Sequence, residues 1–161
     1  MKTSLNVLAE RLGQKLKQGQ LQLTTAESCT GGGLSYWITS VSGSSEWFER
    51  GFVTYSNQAK IELLGVKSDT IANFGAVSEQ TACEMAEGAL ANSQATISVA
   101  VTGIAGPNGG TPEKPVGTVW LAFSAKHFPT CAQVVVFDGA RNEIREKVIE
   151  KAFLTLLDLL V

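Results

Sequence analysis

The run SCTGGG at residues 28–33 places two hydroxyl groups and a thiol directly before three glycines. A short apolar-flanked segment precedes it and an amphipathic segment follows, so the pattern predicts a strand-end turn that opens into a helix. Backbone N–H groups and the helix dipole favour anions at such a turn. The run therefore predicts a site for a phosphate or a developing oxyanion, with Thr30, Gly31 and Gly32 among the residues that bind the substrate.

Two candidate nucleophiles stand side by side in this run, Ser28 and Cys29. The polar cluster at residues 55–60 ends in Lys60, which could act as the base if a dry site lowers the pKa of the lysine. A Ser–Lys pair needs no histidine, which fits a chain whose one histidine is His127. The residue types therefore favour acyl transfer by Ser28 or Cys29 with Lys60 as base.

Further polar groups follow two predicted strands. Tyr55 and Thr102 could move protons or orient the catalytic pair, and the amides from Gly103 to Gly106 could hold an oxyanion or a phosphate. Arg141 stands at the start of the last predicted helix, where a cation opposes the helix dipole, and this favours an anionic partner. Ligands of open α/β sheets bind at strand ends, so we expect these groups to converge on one cleft.

Each catalytic candidate also has a purely structural interpretation. Ser28 could cap the following helix, Cys29 could fill space in the core, and Lys60 could be a solvated surface lysine. Ser45 and its neighbour Ser44 are typical of a turn. These alternatives stay open at the level of residue types alone.

Composition limits the function classes. The 161 residues carry a net charge of −2, with 44% hydrophobic and 17% charged residues, which indicates one globular domain over residues 1–161. No basic stripe points to nucleic acid, and no apolar run reaches the ~20 residues of a membrane span. The N-terminus lacks a signal-peptide core, so a cytoplasmic protein is expected. Three scattered cysteines and one histidine predict neither a disulfide framework nor a metal site, and no cofactor is expected.

Hydrophobic periodicity predicts alternating helices and strands. Helices are predicted at residues 4–19, 32–39, 60–64, 78–90 and 141–160, and strands at residues 21–25, 51–55, 95–101, 118–124 and 131–137. The last two strands are joined by a connection short enough for an antiparallel hairpin. The pattern predicts an α/β layered domain with a mixed sheet.

Five linked motifs run along most of the chain in a fixed order. They are TAESCTGG at residues 25–32, GSSEWFERGFVTYSNQAK at 43–60, GAVSE at 75–79, VTGIAGPNGGTPEKPVGTVW at 101–120, and DGAR at 138–141. Together they resemble the C-terminal domain of the competence/damage-inducible CinA proteins, and in particular its stand-alone form, a nicotinamide-nucleotide amidohydrolase. The resemblance extends from about residue 4 to residue 157.

The resemblance implies a three-layer α/β/α sandwich with a mixed, roughly five-stranded sheet, associating into homodimers or larger homo-oligomers. It implies hydrolysis of the carboxamide of nicotinamide mononucleotide (NMN) to nicotinate mononucleotide and ammonia, a step in pyridine-nucleotide recycling. Two alternatives to this activity stay open. One is a nucleotide-binding module without catalysis, and the other is an amidase acting on an amide that carries no phosphate.

The resemblance also implies roles for residues at matching positions. Ser28 would be the nucleophile and Lys60 its base, with assistance from Ser45, Tyr55 and Thr102. Glycine amides around Gly31 and Gly103 would stabilise the oxyanion, and Arg141 would bind the phosphate.

Overall fold

The computed structural model describes residues 4–161 as an alternation of helices and strands. The helices are α1 (Leu5–Gln18), α2 (Gly33–Thr39), α3 (Asn57–Leu64), α4 (Ser68–Phe74), α5 (Glu79–Ala91) and α6 (Arg141–Leu159). The strands are β1 (Leu23–Glu27), β2 (Phe48–Val53), β3 (Ile97–Gly103), β4 (Thr118–Ala125) and β5 (Phe128–Val136). None of the helices within the described residues is long and apolar enough to cross a membrane.

The strands form one five-stranded sheet in the order β2-β1-β3-β4-β5. Strand β1 pairs in parallel with both β2 and β3, whereas β4 is antiparallel to β3 and to β5. All five residues of β1 are buried, as expected for a central strand covered on both faces. The carboxyl ends of β1, β2 and β3 therefore meet at one edge of the sheet, where the predicted polar clusters begin.

Helices cover both faces of the sheet. On one face, α2 and α6 contact the strands and α1 packs on α2 and α6, and their leucine, isoleucine and phenylalanine side chains form one core with the sheet. On the other face α5 lies on the sheet, and α3 and α4 pack against α5. The core on that side consists mainly of alanines, which permits close approach of α5 to the strands. These layers confirm the predicted α/β/α sandwich and the mixed five-stranded sheet.

Gly88 of α5 brings α3 unusually close. A Cβ atom at Gly88 would overlap the carbonyl oxygen of Leu64, at the end of α3. Because real Cβ atoms do not approach a backbone oxygen so closely, only glycine permits this spacing. The close packing of α3 on α5 fixes the position of Lys60, which α3 carries.

Helix α4 and strand β2 are two of the places where the structure differs from the prediction. Helix α4 was not predicted, because its sequence SDTIANF contains few strong helix formers. Its first turn is stabilised from a distance: the Glu84 carboxylate of α5 accepts hydrogen bonds from Lys67 N at 2.9 Å and from Thr70 Oγ1 at 2.6 Å. Strand β2 begins at Phe48 rather than at residue 51 and ends before Thr54. Strand β2 is an outermost strand of the sheet, where a charged pair such as Glu49 and Arg50 is tolerated. Local hydrophobicity does not reveal this position in the sheet.

Candidate active site

A cleft of about 290 Å³ opens at the carboxyl edge of the three parallel strands. Its walls come from the segments that follow β1, β2 and β3, from the loop between α4 and α5, and from the start of α6. Of the predicted site residues, the cleft brings together Ser28, Tyr55, Lys60, Thr102, Gly103, Gly106 and Arg141. The expected convergence of the polar clusters is therefore present in the fold.

Lys60 and Ser28 are in direct contact at the floor of the cleft. The Lys60 side chain, 1% exposed, donates hydrogen bonds from Nζ to Ser28 Oγ at 3.0 Å, to the Thr54 carbonyl at 2.9 Å and to the Tyr55 carbonyl at 3.0 Å. A neutral amine keeps two N–H donors and one lone pair. In that form, with both donors on the two carbonyls, the lone pair would face Ser28 Oγ in place of the hydrogen bond that Nζ donates to it.

Burial favours the neutral form of this lysine. Desolvation lowers the pKa of Lys60 below its ordinary value of 10.5. Within residues 4–161, no carboxylate forms an ion pair with Lys60 that would restore the charge. The arrangement can thus supply a base that removes the proton of Ser28.

Cys29 and Ser28 are neighbours in the chain, but their side chains lie in different surroundings. The thiol is buried in the larger hydrophobic core, and burial raises its pKa to about 12. At neutral pH it stays protonated, and a thiol is a far weaker nucleophile than a thiolate. Ser28 Oγ, by contrast, lies between Lys60 Nζ and the Tyr55 carbonyl, to which it donates at 3.4 Å. The geometry therefore favours Ser28 over Cys29 as the nucleophile.

Glu27, the last residue of β1, was not predicted to take part. Its carboxylate is fully buried and accepts hydrogen bonds from Thr30 Oγ1 at 2.7 Å, from Leu34 N at 2.8 Å, and from Ser35 N and Oγ at 3.0 and 2.8 Å. These donors belong to the first turn of α2 and the residues before it. The amino end of α2 is therefore occupied by a carboxylate of the protein itself. No sequence signal pointed to this role, because the predicted strand ended at residue 25 and left Glu27 outside it.

This arrangement argues against the predicted substrate contacts of Thr30 and Gly31, whereas the one at Gly32 stays a prediction. The Thr30 hydroxyl is bonded to Glu27, and the Gly31 amide donates to the Ser28 carbonyl at 3.0 Å. Gly31 and Gly32 have φ values of +59° and +102°, a backbone conformation that glycine adopts without strain. We call residues 28–32 the nucleophile turn. Its residues after Cys29 shape the turn. The amides of Leu34 and Ser35 in the first turn of α2 already bind Glu27, so they are not available to a substrate anion.

Gly103 and Gly106 line the cleft with backbone atoms, and packing explains why both are glycine. A Cβ at Gly103 would lie 2.5 Å from Val119 Cγ2 and 2.9 Å from the Thr118 carbonyl oxygen. Gly106 has a φ of +79°, and a Cβ there would overlap the Val116 side chain. Within residues 4–161, the amides of Cys29 and of Ala105 donate no hydrogen bond to another residue. Both residues line the cleft.

Arg141 and Tyr55 meet at the rim of the cleft. Arg141 donates from Nη1 to the Gly106 carbonyl at 2.7 Å and from Nη2 to Tyr55 Oη at 3.3 Å. The Tyr55 residue is 62% exposed, so its hydroxyl lies at the rim and away from the contact between Ser28 and Lys60. The predicted proton-transfer role of that hydroxyl is therefore not supported. The backbone carbonyl of Tyr55 is the group that contacts the catalytic pair.

Thr102 fixes one wall of the cleft. Its buried hydroxyl donates to the Ala76 carbonyl at 2.9 Å, in the loop between α4 and α5. Ala76 and Val77 of this loop line the cleft as half-buried apolar residues, and Ile104 does so from the segment after β3. Thr102 therefore holds an apolar wall in place, which is more specific than the predicted general assistance.

Ser45 does not reach the cleft. It is exposed in the short 3₁₀ turn Ser44–Glu46, which precedes β2. Ser28 follows β1, which runs parallel to β2, so the two serines lie at opposite edges of the sheet. Within one chain all of β2 separates Ser45 from the cleft, so the catalytic role of Ser45 stays a prediction that a single chain does not support.

Asn57 and Asn108 line the cleft, although sequence reasoning did not single them out. Their amide side chains add donors and acceptors near the rim, on α3 and in the loop after β3. In the described part of the chain, no group of three or more histidine, cysteine, aspartate or glutamate side chains is placed to hold a metal ion. The polar chemistry of the cleft therefore comes from Ser28, Lys60, Arg141, the two asparagines and backbone amides.

Comparison with known proteins gives consistent relatives. The family model of the CinA C-terminal domain matches residues 5–160. The chain is 49% identical over 154 residues to the nicotinamide-nucleotide amidohydrolase PncC of Escherichia coli (strain K12), covering 96% of this chain and 93% of that protein. It is 48% identical over 157 residues to the PncC of Pseudomonas putida, covering 96% of each.

The fold is shared with solved structures. The crystal structure of the competence/damage inducible protein CihA from Agrobacterium tumefaciens superimposes with a TM-score of 0.94 at 45% sequence identity, covering 99% of this chain and 97% of that one. The match extends over the whole sheet and both helical layers. On the family model, the relatives and the shared fold, the chain belongs to the CinA C-terminal domain family.

Proposed function

We propose that this protein is an amidohydrolase that converts NMN to nicotinate mononucleotide and ammonia. The observation that carries the proposal is the buried amine of Lys60, 3.0 Å from Ser28 Oγ and anchored by two carbonyls. Relatives that are 48% and 49% identical to this chain are named nicotinamide-nucleotide amidohydrolases, which supports the same substrate class here.

Acylation begins with neutral Lys60. Its lone pair accepts the Ser28 hydroxyl proton while Oγ attacks the carboxamide carbon, and the C=O π electrons move to oxygen. The resulting ammonium of Lys60 then gives its proton to the amide nitrogen. The C–N bond breaks, ammonia leaves, and the nicotinoyl group stays on Ser28 as an ester. Lys60 is neutral again at the end of this step.

The oxyanion of the tetrahedral intermediate needs donors that are already in place. The amides of Cys29 and Ala105 are suitable because both residues line the cleft and neither amide donates to another residue within residues 4–161. The Cys29 amide directly follows the nucleophile in the chain. We assign these two amides to the oxyanion in place of the predicted amides of Gly31 and Gly103.

Deacylation uses the same base. Neutral Lys60 accepts a proton from water while the water oxygen attacks the ester carbon. Collapse of the second tetrahedral intermediate breaks the bond to Ser28, and the proton of Lys60 returns to Oγ. Because Lys60 must be neutral in both half-reactions, activity rises with pH through the lowered pKa of this lysine.

The residues that line the cleft suit a substrate with a planar ring and a charged tail. Ala76, Val77 and Ile104 provide apolar surface for the nicotinamide ring next to Ser28. Arg141 at the rim would bind the phosphate, since its guanidinium forms charge-assisted hydrogen bonds with phosphate oxygens. Its contact with Tyr55 Oη would then give way to the phosphate. Asn57 and Asn108 are placed to contact the ribose hydroxyls.

In the cell, this activity would return nicotinamide mononucleotide to pyridine-nucleotide recycling. We propose a cytoplasmic homodimer or larger homo-oligomer that uses no cofactor. These assignments rest on the family resemblance and on the composition of the chain. They are independent of the catalytic geometry.

The test is ammonia release from purified protein given NMN, with nicotinamide and NAD as parallel substrates. Release from NMN in preference to the other two supports the proposal. Hydroxylamine added during turnover should divert the Ser28 ester to a hydroxamate of the nucleotide, which mass spectrometry detects. Binding of NMN without ammonia release would indicate a nucleotide-binding module. Equal hydrolysis of nicotinamide would indicate an amidase that does not recognise phosphate.

A further inference from the structure

Arg145 lies behind the nucleophile turn, one helical turn along α6 from Arg141. It does not line the catalytic cleft. It lines a separate hollow of about 310 Å³ together with Thr30, Gly33, Asn142, Glu146 and Ile149. Sequence reasoning did not identify it, because a second arginine on an amphipathic helix is typical of a solvated face.

The guanidinium of Arg145 binds the backbone of the nucleophile turn. Nε donates to the Cys29 carbonyl at 3.1 Å, and Nη2 donates to the Thr30 carbonyl at 3.2 Å. The remaining terminal nitrogen, Nη1, donates to Asn142 Oδ1 at 3.2 Å, which holds the group in orientation. A planar guanidinium offers several donors in one rigid arrangement, which a lysine cannot reproduce.

These contacts reach Ser28 through the peptide groups. A trans peptide is planar, so fixing a carbonyl also fixes the N–H of the next residue. The Thr30 carbonyl held by Arg145 shares a peptide group with the Gly31 amide, which donates to the Ser28 carbonyl at 3.0 Å. Two hydrogen bonds therefore separate Arg145 from the backbone of the nucleophile.

Charges of opposite sign hold the turn from both sides. The buried Glu27 carboxylate binds the Thr30 hydroxyl, while Arg145 binds the Thr30 carbonyl. Within residues 4–161, Arg145 forms no ion pair with a carboxylate, and its hydrogen bonds go to backbone carbonyls and to a side-chain amide oxygen. The side chain is half-buried, which limits competition from water.

We infer that Arg145 is a positioning residue of the amide hydrolysis, which keeps Ser28 Oγ aligned with Lys60 Nζ during acylation. The inference rests on the proposed function. Arg141 and Arg145 then have separate tasks on one helix: Arg141 binds the substrate at the rim, and Arg145 holds the nucleophile from behind.

The first test compares Arg145→Met with wild type in NMN hydrolysis. Methionine keeps an apolar stem but removes every donor. A misplacement of about 1 Å can cost roughly a hundredfold in rate, so we expect kcat to fall about ten- to a hundredfold with KM within about twofold. Arg145→Lys should give an intermediate kcat. Lys147→Met is the matched control, because Lys147 also sits on α6 and donates to a backbone carbonyl, that of Asp138, outside the nucleophile turn.

The second test is chemical rescue of Arg145→Ala. The hollow beside Arg145 is open, so guanidinium at a concentration that does not unfold the protein should enter and bind the two carbonyls. We expect kcat to rise with guanidinium and to be unchanged by urea, which has a similar shape but no charge. A purely structural role would show no such difference.

The outcomes separate the two proposals. Wild-type protein that releases no ammonia from NMN overturns the proposed function, and the inference with it. Active wild type with an Arg145→Met variant of unchanged kcat overturns the inference alone. A variant that loses kcat only in proportion to a fall in folded fraction, without guanidinium rescue, also overturns it.

Discussion

The two edges of the sheet both carry a concavity beside a lysine, yet the lysines differ in every property that matters for catalysis. At the carboxyl edge, Lys60 is 1% exposed and is bonded to Ser28 and to two carbonyls. At the amino edge, a larger hollow of about 430 Å³ is lined by Lys17, whose side chain is 68% exposed and forms an ion pair with Glu46 at 2.7 Å.

The comparison shows that burial of polar groups, and not the size of a hollow, marks the reactive edge. An exposed ion pair such as Lys17–Glu46 contributes about 0–1 kcal/mol. Lys60 is buried and has no carboxylate partner within residues 4–161, so desolvation lowers its pKa. The rest of the fold offsets the cost of burying that amine.

The sharpest test of this comparison replaces residues at both edges. Ser28→Ala and Lys60→Met should lower kcat for NMN by at least about 10²- to 10⁴-fold, because the nucleophile or the general base is removed. Lys17→Met at the amino edge should leave kcat within about twofold. Steady-state ammonia release measures all three variants, with circular dichroism to verify folding.

Ser45→Ala can break the comparison. The structure puts Ser45 at the amino edge, so its loss should leave kcat within about twofold of wild type. A large loss of kcat in Ser45→Ala would show that the catalytic cleft draws on the amino edge as well, through a second copy of the chain.

A smaller effect is expected at the rim of the cleft. Arg141→Met should raise the KM for NMN about ten- to a hundredfold, since a hydrogen bond to a charged group contributes about 1.5–3 kcal/mol. The dephosphorylated nucleoside should lose no affinity. Calorimetric titration of both compounds into an inactive Ser28→Ala background measures this. Equal loss for both compounds would contradict a phosphate-binding role.

Two glycines offer a matched pair for packing. Gly88→Ala would push α3 away from α5, and Gly13→Ala would push α1 against Trp47, whose Cζ2 lies 2.5 Å from the added Cβ. Both should cost about 1–3 kcal/mol of unfolding free energy. Only Gly88→Ala should also lower kcat, by about tenfold, because α3 carries Lys60. Urea unfolding and kcat at a temperature where both are folded separate the two effects.

The smallest effect concerns stability and pH. In the unfolded chain Lys60 holds its proton up to about 10.5, whereas in the folded protein its pKa is lower. Between these two pKa values the unfolded state binds more protons, so the unfolding free energy of wild type rises with pH. Lys60→Met lacks this dependence. The unfolding free energy of Lys60→Met minus that of wild type should therefore become less positive, or more negative, as pH rises toward 10.5. A difference that stays constant with pH would contradict a lowered pKa.

Much of this site could be predicted from sequence because its parts follow strands. Ser28 and the segment before Lys60 come directly after β1 and β2, Thr102 is one of the last two residues of β3, and parallel strands end at a common edge. Knowing the strands was enough to expect Ser28 and Lys60 in one cleft. The same reasoning supplied the sandwich and its mixed sheet.

Other parts depend on contacts that no local pattern shows. Glu27 looks like a strand residue until the fold brings the first turn of α2 onto its carboxylate, which removes the predicted anion site. Arg145 contacts the nucleophile turn across more than a hundred residues of chain, with 116 positions separating it from Cys29. Helix α4 forms on weak propensities because Glu84 binds its first turn.

Ser28 and Lys60 join a fully buried strand to a short helix that buries few of its own residues. Ser28 follows β1, which is buried throughout and bonded to a strand on each side, whereas Lys60 sits on the eight-residue helix α3, which buries only Lys60 and Leu64. Amide hydrogens of β1 should exchange with solvent only on global unfolding, and those of α3 through local opening. Heating should therefore release the base before the sheet melts, and activity should fade reversibly below the melting temperature.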